Sequence, residues 1–221
     1  MLGFKVEGFV DSAGALIDLV RRYGFDESAE ESRRLLRYLR LLEKWNTRIN
    51  LTASTAWPAI GPLFEEALWA ARYFPEKGGS HLDIGSGAGF PAIPMHIMRP
   101  TSRLELLESR TKRAVFLEAA VAELQLAETA VVCERAEVYL RSRLISQFDV
   151  ISWKAIRLSN KAFGLLVDLS GPDSRFWLFH GAELPVVDPA EFGRRLVLLR
   201  CENFPGHAGW RLSIYEKRCC S

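Results

Sequence analysis

The stretch HLDIGSGAGFPAIP, residues 81–94, joins a predicted strand to a predicted helix through three alternate glycines. The apolar residues at its start are typical of a short buried strand. Gly85, Gly87 and Gly89 follow, and glycine both adopts left-handed backbone angles and lets a ligand approach the main chain. Ligands bind beyond the carboxyl ends of the strands in doubly wound sheets. The stretch therefore predicts a ligand-binding turn after the first strand of such a sheet.

Strands and helices alternate along the chain after this turn, which predicts a mostly parallel sheet with helices on both faces. Two further strand patterns, at 195–201 and 210–217, surround a turn and predict a C-terminal antiparallel hairpin. The other predicted strands are 81–85, 103–108, 130–133, 148–155 and 175–180, and the predicted helices between them are 91–98, 111–124, 136–144 and 158–169.

The residues before the turn predict an N-terminal helical region. Apolar residues recur at helical spacing in 11–23 and 28–46, and Ser28 with Glu31 matches the capping box that starts a helix. Pro58 predicts the start of a third helix. We therefore expect a helical region at 1–75 and an α/β ligand-binding domain at 76–221.

Composition restricts the class of protein. The chain has 221 residues and a net charge of +2, and its apolar runs are too short for a membrane span. Its four cysteines lack metal-site spacing, and the N-terminus lacks a signal-peptide pattern. We expect a cytoplasmic monomer that binds neither metal nor membrane, with Cys133 buried in the third strand; the other cysteines are Cys201, Cys219 and Cys220.

The spacing of an acidic residue favours a nucleoside ligand. Glu108 ends the second predicted strand about 20 residues beyond the glycines, where an acid accepts hydrogen bonds from ribose hydroxyls. A dinucleotide site has glycine at the sixth position of the motif, where this chain has Phe90. Pro91 also removes an amide that could bind phosphate. S-adenosylmethionine therefore fits better than NAD, and an NAD-dependent oxidoreductase stays open as an alternative.

Several segments resemble, in chain order, the ribosomal RNA small-subunit methyltransferase G family, also called glucose-inhibited division protein B. They are LLEKWNTRINLTA at 41–53, LDIGSGAGFPAIPMHIMRP at 82–100, LLESRTKRAVFL at 106–117, ERAEVY at 134–139 and FDVISWKA at 148–155. The resemblance covers residues 28–182. It implies a Rossmann-like class I methyltransferase domain after an N-terminal helical region. It also implies methylation of guanine N7 in 16S ribosomal RNA of the small ribosomal subunit, with S-adenosylmethionine as the methyl donor.

The resemblance implies a set of cofactor-binding residues. They lie in the glycine loop and after the second, third and fourth strands: Asp83, Gly85, Ser86, Gly87, Gly89, Phe90, Glu108, Ser109, Ala136, Glu137 and Lys154. Three positions depart from the family pattern. Glu66 lies on a helix face where the family has basic and hydroxyl-bearing residues. Lys154 replaces an arginine of the family, and His180 replaces a lysine. These departures leave open a methyltransferase of another substrate or an inactive relative.

No firm catalytic base is expected, because guanine N7 attacks a methyl group with its own lone pair. Lys154 and His180 are the candidates for contact with the reacting groups. Lys154 would bind an RNA phosphate or the cofactor carboxylate, and a solvated lysine at a strand end is the alternative. His180 would donate to a guanine carbonyl, or else cap a strand. Arg110, Lys112 and Arg113 are the candidates for RNA phosphate contacts.

Overall fold

A computed structural model describes residues 3–75, 79–100, 103–142, 145–156, 158–181, 194–207 and 209–218. Cys219 and Cys220 lie outside these residues. In the described part no helix is both long and apolar enough to cross a membrane. The same residues contain no cluster of three or more histidine, cysteine or acidic side chains that could hold a metal ion.

Three helices precede the sheet: α1 (Gly3–Arg22), α2 (Glu30–Asn46) and α3 (Trp57–Ala71). Pro58 lies in the first turn of α3, where its missing amide hydrogen costs no helical bond. The capping-box prediction for α2 is wrong, because the cap position is Ala29 and it makes no side-chain cap bond. Ser28 instead donates its backbone amide and its hydroxyl to the Asp26 carboxylate, each at 2.8 Å.

Strands and helices then alternate as predicted. The strands are β1 (Ser80–Ile84), β2 (Arg103–Leu107), β3 (Thr129–Val132), β4 (Val150–Lys154), β5 (Arg175–His180), β6 (Leu196–Asn203) and β7 (Arg211–Lys217). The helices are α4 (Ala92–Met98), α5 (Thr111–Glu123), α6 (Ala136–Ser142) and α7 (Asn160–Leu169).

The seven strands form one sheet in the order β3-β2-β1-β4-β5-β7-β6. The first five strands are parallel, and β7 lies antiparallel between β5 and β6. The predicted fold, a mostly parallel sheet with a C-terminal antiparallel hairpin, is confirmed. The strand order reverses between β1 and β4, so the loop after β1 lies at the topological switch point, where ligands bind in such sheets.

Each face of the sheet has its own buried cluster. One contains Leu39 of α2, Phe64 of α3, Leu106 of β2 and Phe116 of α5, so the N-terminal helices pack directly on the sheet together with α4 and α5. The other cluster packs α6 and α7 on the opposite face. Burial of one such leucine or phenylalanine contributes about 1.5–3 kcal/mol. The division into two domains at residue 75 stays a prediction, because this core contains residues from both regions.

The prediction that Cys133 lies in the core is wrong, because this residue is exposed. It follows β3, which is the edge strand of the sheet, and the residues of β3 are themselves only partly buried or exposed. An edge strand has a neighbour on one side only, and its end therefore receives little cover.

Candidate cofactor and substrate site

The glycine loop after β1 is held against the end of β2. The backbone amides of Gly85 and Ser86 both donate to the Leu107 carbonyl, at 2.7 and 3.1 Å. Gly85, Gly87 and Gly89 have φ values of +76°, +58° and +86°. All three alternate glycines therefore adopt the left-handed backbone region that other residues rarely enter.

The three glycines differ in the space around them. A Cβ atom at Gly85 would lie 2.8 Å from the Ile156 side chain, and one at Gly89 would lie 2.5 Å from Ile93. The nearest atom to a Cβ at Gly87 is 3.6 Å away, on the Arg113 guanidinium. Packing thus requires glycine at the outer two positions, whereas the middle position has room beside it for a ligand.

Glu108 connects the loop to the region after β2. Its carboxylate accepts the backbone amides of Gly87 and Arg110, both at 2.8 Å, and the side chain is 5% exposed. Each carboxylate oxygen has a further lone pair that can accept a hydroxyl. The acid predicted to bind ribose is therefore fixed at the loop with acceptor capacity remaining.

A cavity of about 370 Å³ opens beside Glu108, within the size range of small-molecule and cofactor sites. It unites residues that follow β1, β2, β3 and β4. Five predicted cofactor residues line it: Gly85, Glu108, Ser109, Ala136 and Glu137. Its wall also includes residues that no sequence motif indicated, namely Ile84, Leu107, Glu134, Arg135, Ala155, Ile156 and Leu158. For Ala155, Ile156 and Leu158, the position just after β4 is the signal that would have indicated a place in the cavity wall.

The candidate RNA residues divide between this cavity and the surface. Arg110 and Arg113 line the cavity, and Arg113 also donates to the Asn50 carbonyl at 3.3 Å. Lys112 is exposed between them on α5. Of the three, Lys112 alone is absent from the cavity wall.

Asp83 lies under the loop in a buried hydrogen-bonded chain. The Ser152 hydroxyl donates to Asp83 Oδ1 at 2.6 Å, and His81 Nε2 lies 2.8 Å from the same hydroxyl oxygen. The serine hydrogen is engaged with Asp83, so His81 Nε2 donates in this chain. Burial raises the pKa of Asp83 to about 6 and lowers that of His81 to about 3. Asp83 Oδ2 is buried without a hydrogen-bond partner among the described residues.

Lys154 ends β4 and belongs to a buried ion pair. Its ammonium donates to Glu66 Oε1 of α3 at 2.5 Å and lies 5.3 Å from the centre of the Trp210 indole ring. The two charged side chains are 14% and 6% exposed. Burial raises the pKa of Glu66, and Lys154 opposes that change. Two of the three positions that depart from the family pattern thus contact each other, and Lys154 is not a solvated lysine.

His180, the third departure, uses both ring nitrogens within the protein. Nδ1 lies 2.6 Å from the Gly181 carbonyl oxygen and so donates to it, while Nε2 lies 2.9 Å from the Ser213 hydroxyl. Burial lowers the pKa of this histidine, which favours the neutral ring. The arrangement matches the strand-capping alternative and leaves no ring hydrogen for a substrate carbonyl.

Phe90 and Ser86 also make contacts within the fold. The Phe90 ring packs against Tyr38 and Phe64, with ring centres 5.5 and 5.0 Å apart. The Ser86 hydroxyl donates to the Asp83 carbonyl at 3.0 Å. Phe90, predicted from the family pattern to bind cofactor, therefore faces the helical core, and its role at the cofactor stays a prediction.

Comparison with known proteins agrees with this geometry. The model of the family described as rRNA small subunit methyltransferase G matches residues 31–185. A protein of Ectopseudomonas mendocina named ribosomal RNA small subunit methyltransferase G is 36% identical over 218 residues, which are 93% of this chain and 96% of the relative. A Roseiflexus protein of the same name is 36% identical over 143 residues, 64% of this chain and 61% of that protein.

The fold is also that of solved methyltransferase structures. A SAM-dependent methyltransferase from Aquifex aeolicus has a TM-score of 0.57 at 16% identity, covering 72% of this chain and 93% of that one. The putative methyltransferase yhhF from Escherichia coli has a TM-score of 0.55 at 17% identity, with coverage of 72% and 87%. The resemblance seen in the sequence is thus confirmed over most of its length, and the chain belongs to the rRNA small subunit methyltransferase G family.

Proposed function

We propose that this protein transfers the methyl group of S-adenosylmethionine to N7 of a guanine in 16S ribosomal RNA of the small ribosomal subunit. The observation that carries the proposal is the glycine loop, bonded through Gly87 to Glu108 at the rim of a cofactor-sized cavity, in a member of a methyltransferase family. Family membership decides between the two cofactors that the glycine motif left open. We place the protein in the cytoplasm, where ribosomal RNA is modified, and a monomer stays our expectation.

The residues at the loop fit S-adenosylmethionine. Glu108 would accept hydrogen bonds from the ribose, and Ala136 and Glu137 lie along the same cavity, where the adenine would lie. Open space beside Gly87 lets a ligand approach the backbone. The unpartnered Oδ2 of Asp83 lies beneath the loop, and a carboxylate there favours a cationic ligand. S-adenosylmethionine supplies a methyl group on a positively charged sulfur.

The protein's own residues need to align the guanine rather than to remove a proton from it. N7 has a free lone pair, so alignment and electrostatic stabilisation account for the rate. This agrees with the hydrogen bonds of His180, which occupy both of its ring nitrogens within the fold. Lys154 and Glu66 remain the charged side chains available near the acceptor.

The test is methylation of small ribosomal subunits from cells that lack this protein. With labelled S-adenosylmethionine we expect one labelled guanine in 16S ribosomal RNA, and mapping by N7-specific chain cleavage would identify it. Label at another atom or on another molecule would identify a methyltransferase of a different substrate. Cofactor binding without transfer to any RNA would indicate an inactive relative.

A further inference from the structure

We propose that Glu66 and Lys154 act together as the group that recognises the Watson–Crick edge of the substrate guanine, with the Trp210 indole supporting the base. The inference rests on the proposed function, and it concerns residues at which this chain departs from the family pattern. Four features of the structure lead to it: location, burial, hydrogen-bonding pattern and the adjacent aromatic ring.

The pair lies at the carboxyl end of β4, the end of the parallel strands at which the cavity also lies. Lys154 ends β4 beside β1, and its neighbour on β5 is Phe179. Trp210 directly precedes β7, whose Arg211 pairs with His180 at the end of β5. The pair and the indole are therefore on the β4–β5–β7 side of the switch point, and none of the three residues lines the cavity. Methyl transfer requires the acceptor atom on the side of the methyl group opposite the sulfur. An acceptor would therefore lie across from a cofactor that is bound in the cavity.

Burial of the pair is costly for a structural contact alone. The side chains are 14% and 6% exposed, so both charges lose most of their hydration. Apolar side chains of similar volume commonly replace such pairs with no loss of stability. A role in recognition gives a reason for two charges at this position that packing does not.

The hydrogen-bonding pattern of the pair matches guanine. Lys154 has N–H groups beyond the one given to Glu66 and can donate to guanine O6, while the Glu66 carboxylate can accept from N1–H and the 2-amino group. Adenine presents a donor and an acceptor in the reverse places, and so it would oppose both charges. Contacts at O6 and N1 leave N7 uncovered for methylation.

The indole completes the recognition surface. Trp210 is partly buried and lies under the Lys154 ammonium, at 5.3 Å from ring centre to Nζ. Nucleic-acid bases commonly stack on aromatic rings, and enzymes that act on an unstacked base hold it by stacking and by its Watson–Crick edge. The structure thus places a donor, an acceptor and a stacking ring within one cluster.

The experiment compares Glu66→Gln, Lys154→Met and the double variant. Each single variant leaves one buried charge without its partner, so its Tm should fall by about 10 °C, whereas the double variant should regain most of that loss. If the pair recognises guanine, the double variant stays roughly 10- to 100-fold below wild type in kcat/KM for small-subunit RNA. Its S-adenosylmethionine Kd, measured by calorimetry, should change less than about 3-fold, because neither residue lines the cavity.

Inosine in place of the target guanine gives a second readout, since inosine lacks only the 2-amino group. In filter binding, wild-type protein should bind the inosine-containing RNA roughly 5-fold more weakly, and the double variant should not distinguish the two. Asp168→Asn with Arg195→Met is the control, a more exposed ion pair between α7 and the residue that precedes β6. It should leave both readouts within about 2-fold of wild type.

If the wild-type protein methylates the RNA, a stable double variant with the same kcat/KM would overturn this inference alone. A wild-type protein that binds S-adenosylmethionine and methylates no RNA would overturn the proposed function, and the inference with it.

Discussion

At the scale of single residues, Asp83 shows how a charge is maintained at an energetic cost next to a cofactor loop. Burial raises its pKa to about 6, above the ordinary value of 3.8. The folded protein therefore binds this proton more tightly than the unfolded chain does. The stability contributed by the carboxyl is full below pH 3.8 and is lost as the pH rises through 6. At neutral pH the ionised carboxylate lowers the free energy of unfolding but favours a cationic ligand.

Asp83→Asn tests this cost. The amide has no charge to bury and can still accept from Ser152, so we expect it to raise the free energy of unfolding by about 3 kcal/mol at pH 8 and by little at pH 4. Urea denaturation at several pH values gives the difference between variant and wild type. The lowered pKa of His81 changes the free energy of unfolding with pH in the opposite direction. This contribution cancels in the difference, because both proteins contain His81. A difference between Asp83→Asn and wild type that does not change with pH would contradict the raised pKa of Asp83.

Glu108→Gln tests the ribose acceptor. The amide nitrogen of glutamine would face the backbone N–H of Gly87 or Arg110, and a charged acceptor is lost. We expect S-adenosylmethionine affinity to fall by about 1.5–3 kcal/mol, measured by calorimetry.

Glu105→Gln is the control for that change. Glu105 lies on β2 and accepts from Tyr139 of α6 at 2.5 Å, and it does not line the cavity. Its substitution should lower the Tm without changing the cofactor Kd. If the Glu105 variant binds the cofactor more weakly and the Glu108 variant binds it as wild type does, Glu108 is not the acid that binds the ribose.

At the scale of elements, the glycine loop separates packing from function. Gly89→Ala places a methyl group 2.5 Å from Ile93, whereas Gly87→Ala meets only ordinary contacts. Both substitutions also strain a positive φ, at roughly 1–2 kcal/mol. We expect Gly89→Ala to be the more destabilising in thermal denaturation, and Gly87→Ala to lose cofactor affinity while retaining most of its stability. A Gly87→Ala protein with wild-type affinity would show that the ligand does not approach this backbone.

Elements were predicted where the sequence signal is local. The strand–glycine–helix pattern at 81–94 predicted β1, the loop and α4, because hydrophobic periodicity and backbone freedom depend on neighbouring residues. The start of α2 was predicted at Ser28 and lies at Glu30, since the competing carboxylate of Asp26 engages that serine. Helix α1 begins at Gly3, well before the predicted residue 11, because glycines in its first half weaken the helical signal.

At the scale of the whole molecule, the contact between Glu66 and Lys154 could not be predicted because it joins distant parts of the chain. Glu66 and Lys154 are 88 residues apart, and each alone reads as a departure from the family pattern. The motif position of Phe90 predicts a cofactor contact, whereas in the fold its ring packs on Tyr38 of α2 and Phe64 of α3. The motif indicates the candidate cofactor loop, whereas the packing of α3 and of the turn between β6 and β7 determines what surrounds Lys154.

The RNA surface is also a property of the whole molecule. The net charge of +2 implies few phosphate contacts, and Arg33 and Arg37 of α2 are paired with Glu30. We expect RNA affinity to fall with salt concentration on a shallow slope, because each phosphate contact releases counterions. Removal of Arg110 or Arg113 would also change the candidate cofactor cavity. Their substitution therefore does not isolate the contribution of phosphate contacts to RNA affinity.

Lys112→Ala isolates it, because this side chain is exposed on α5 and absent from the cavity wall. In filter binding across a salt series, we expect the slope of log affinity against log salt to decrease by about 1, with the cofactor Kd unchanged. Lys161→Ala removes another exposed charge, from α7 on the opposite face of the sheet, and should leave the slope as it is. If Lys112→Ala and Lys161→Ala give the same slope as wild type, the phosphate contacts lie elsewhere, and the arginines of α2 become the next residues to substitute. Their partial neutralisation by Glu30 would then account for the shallow slope.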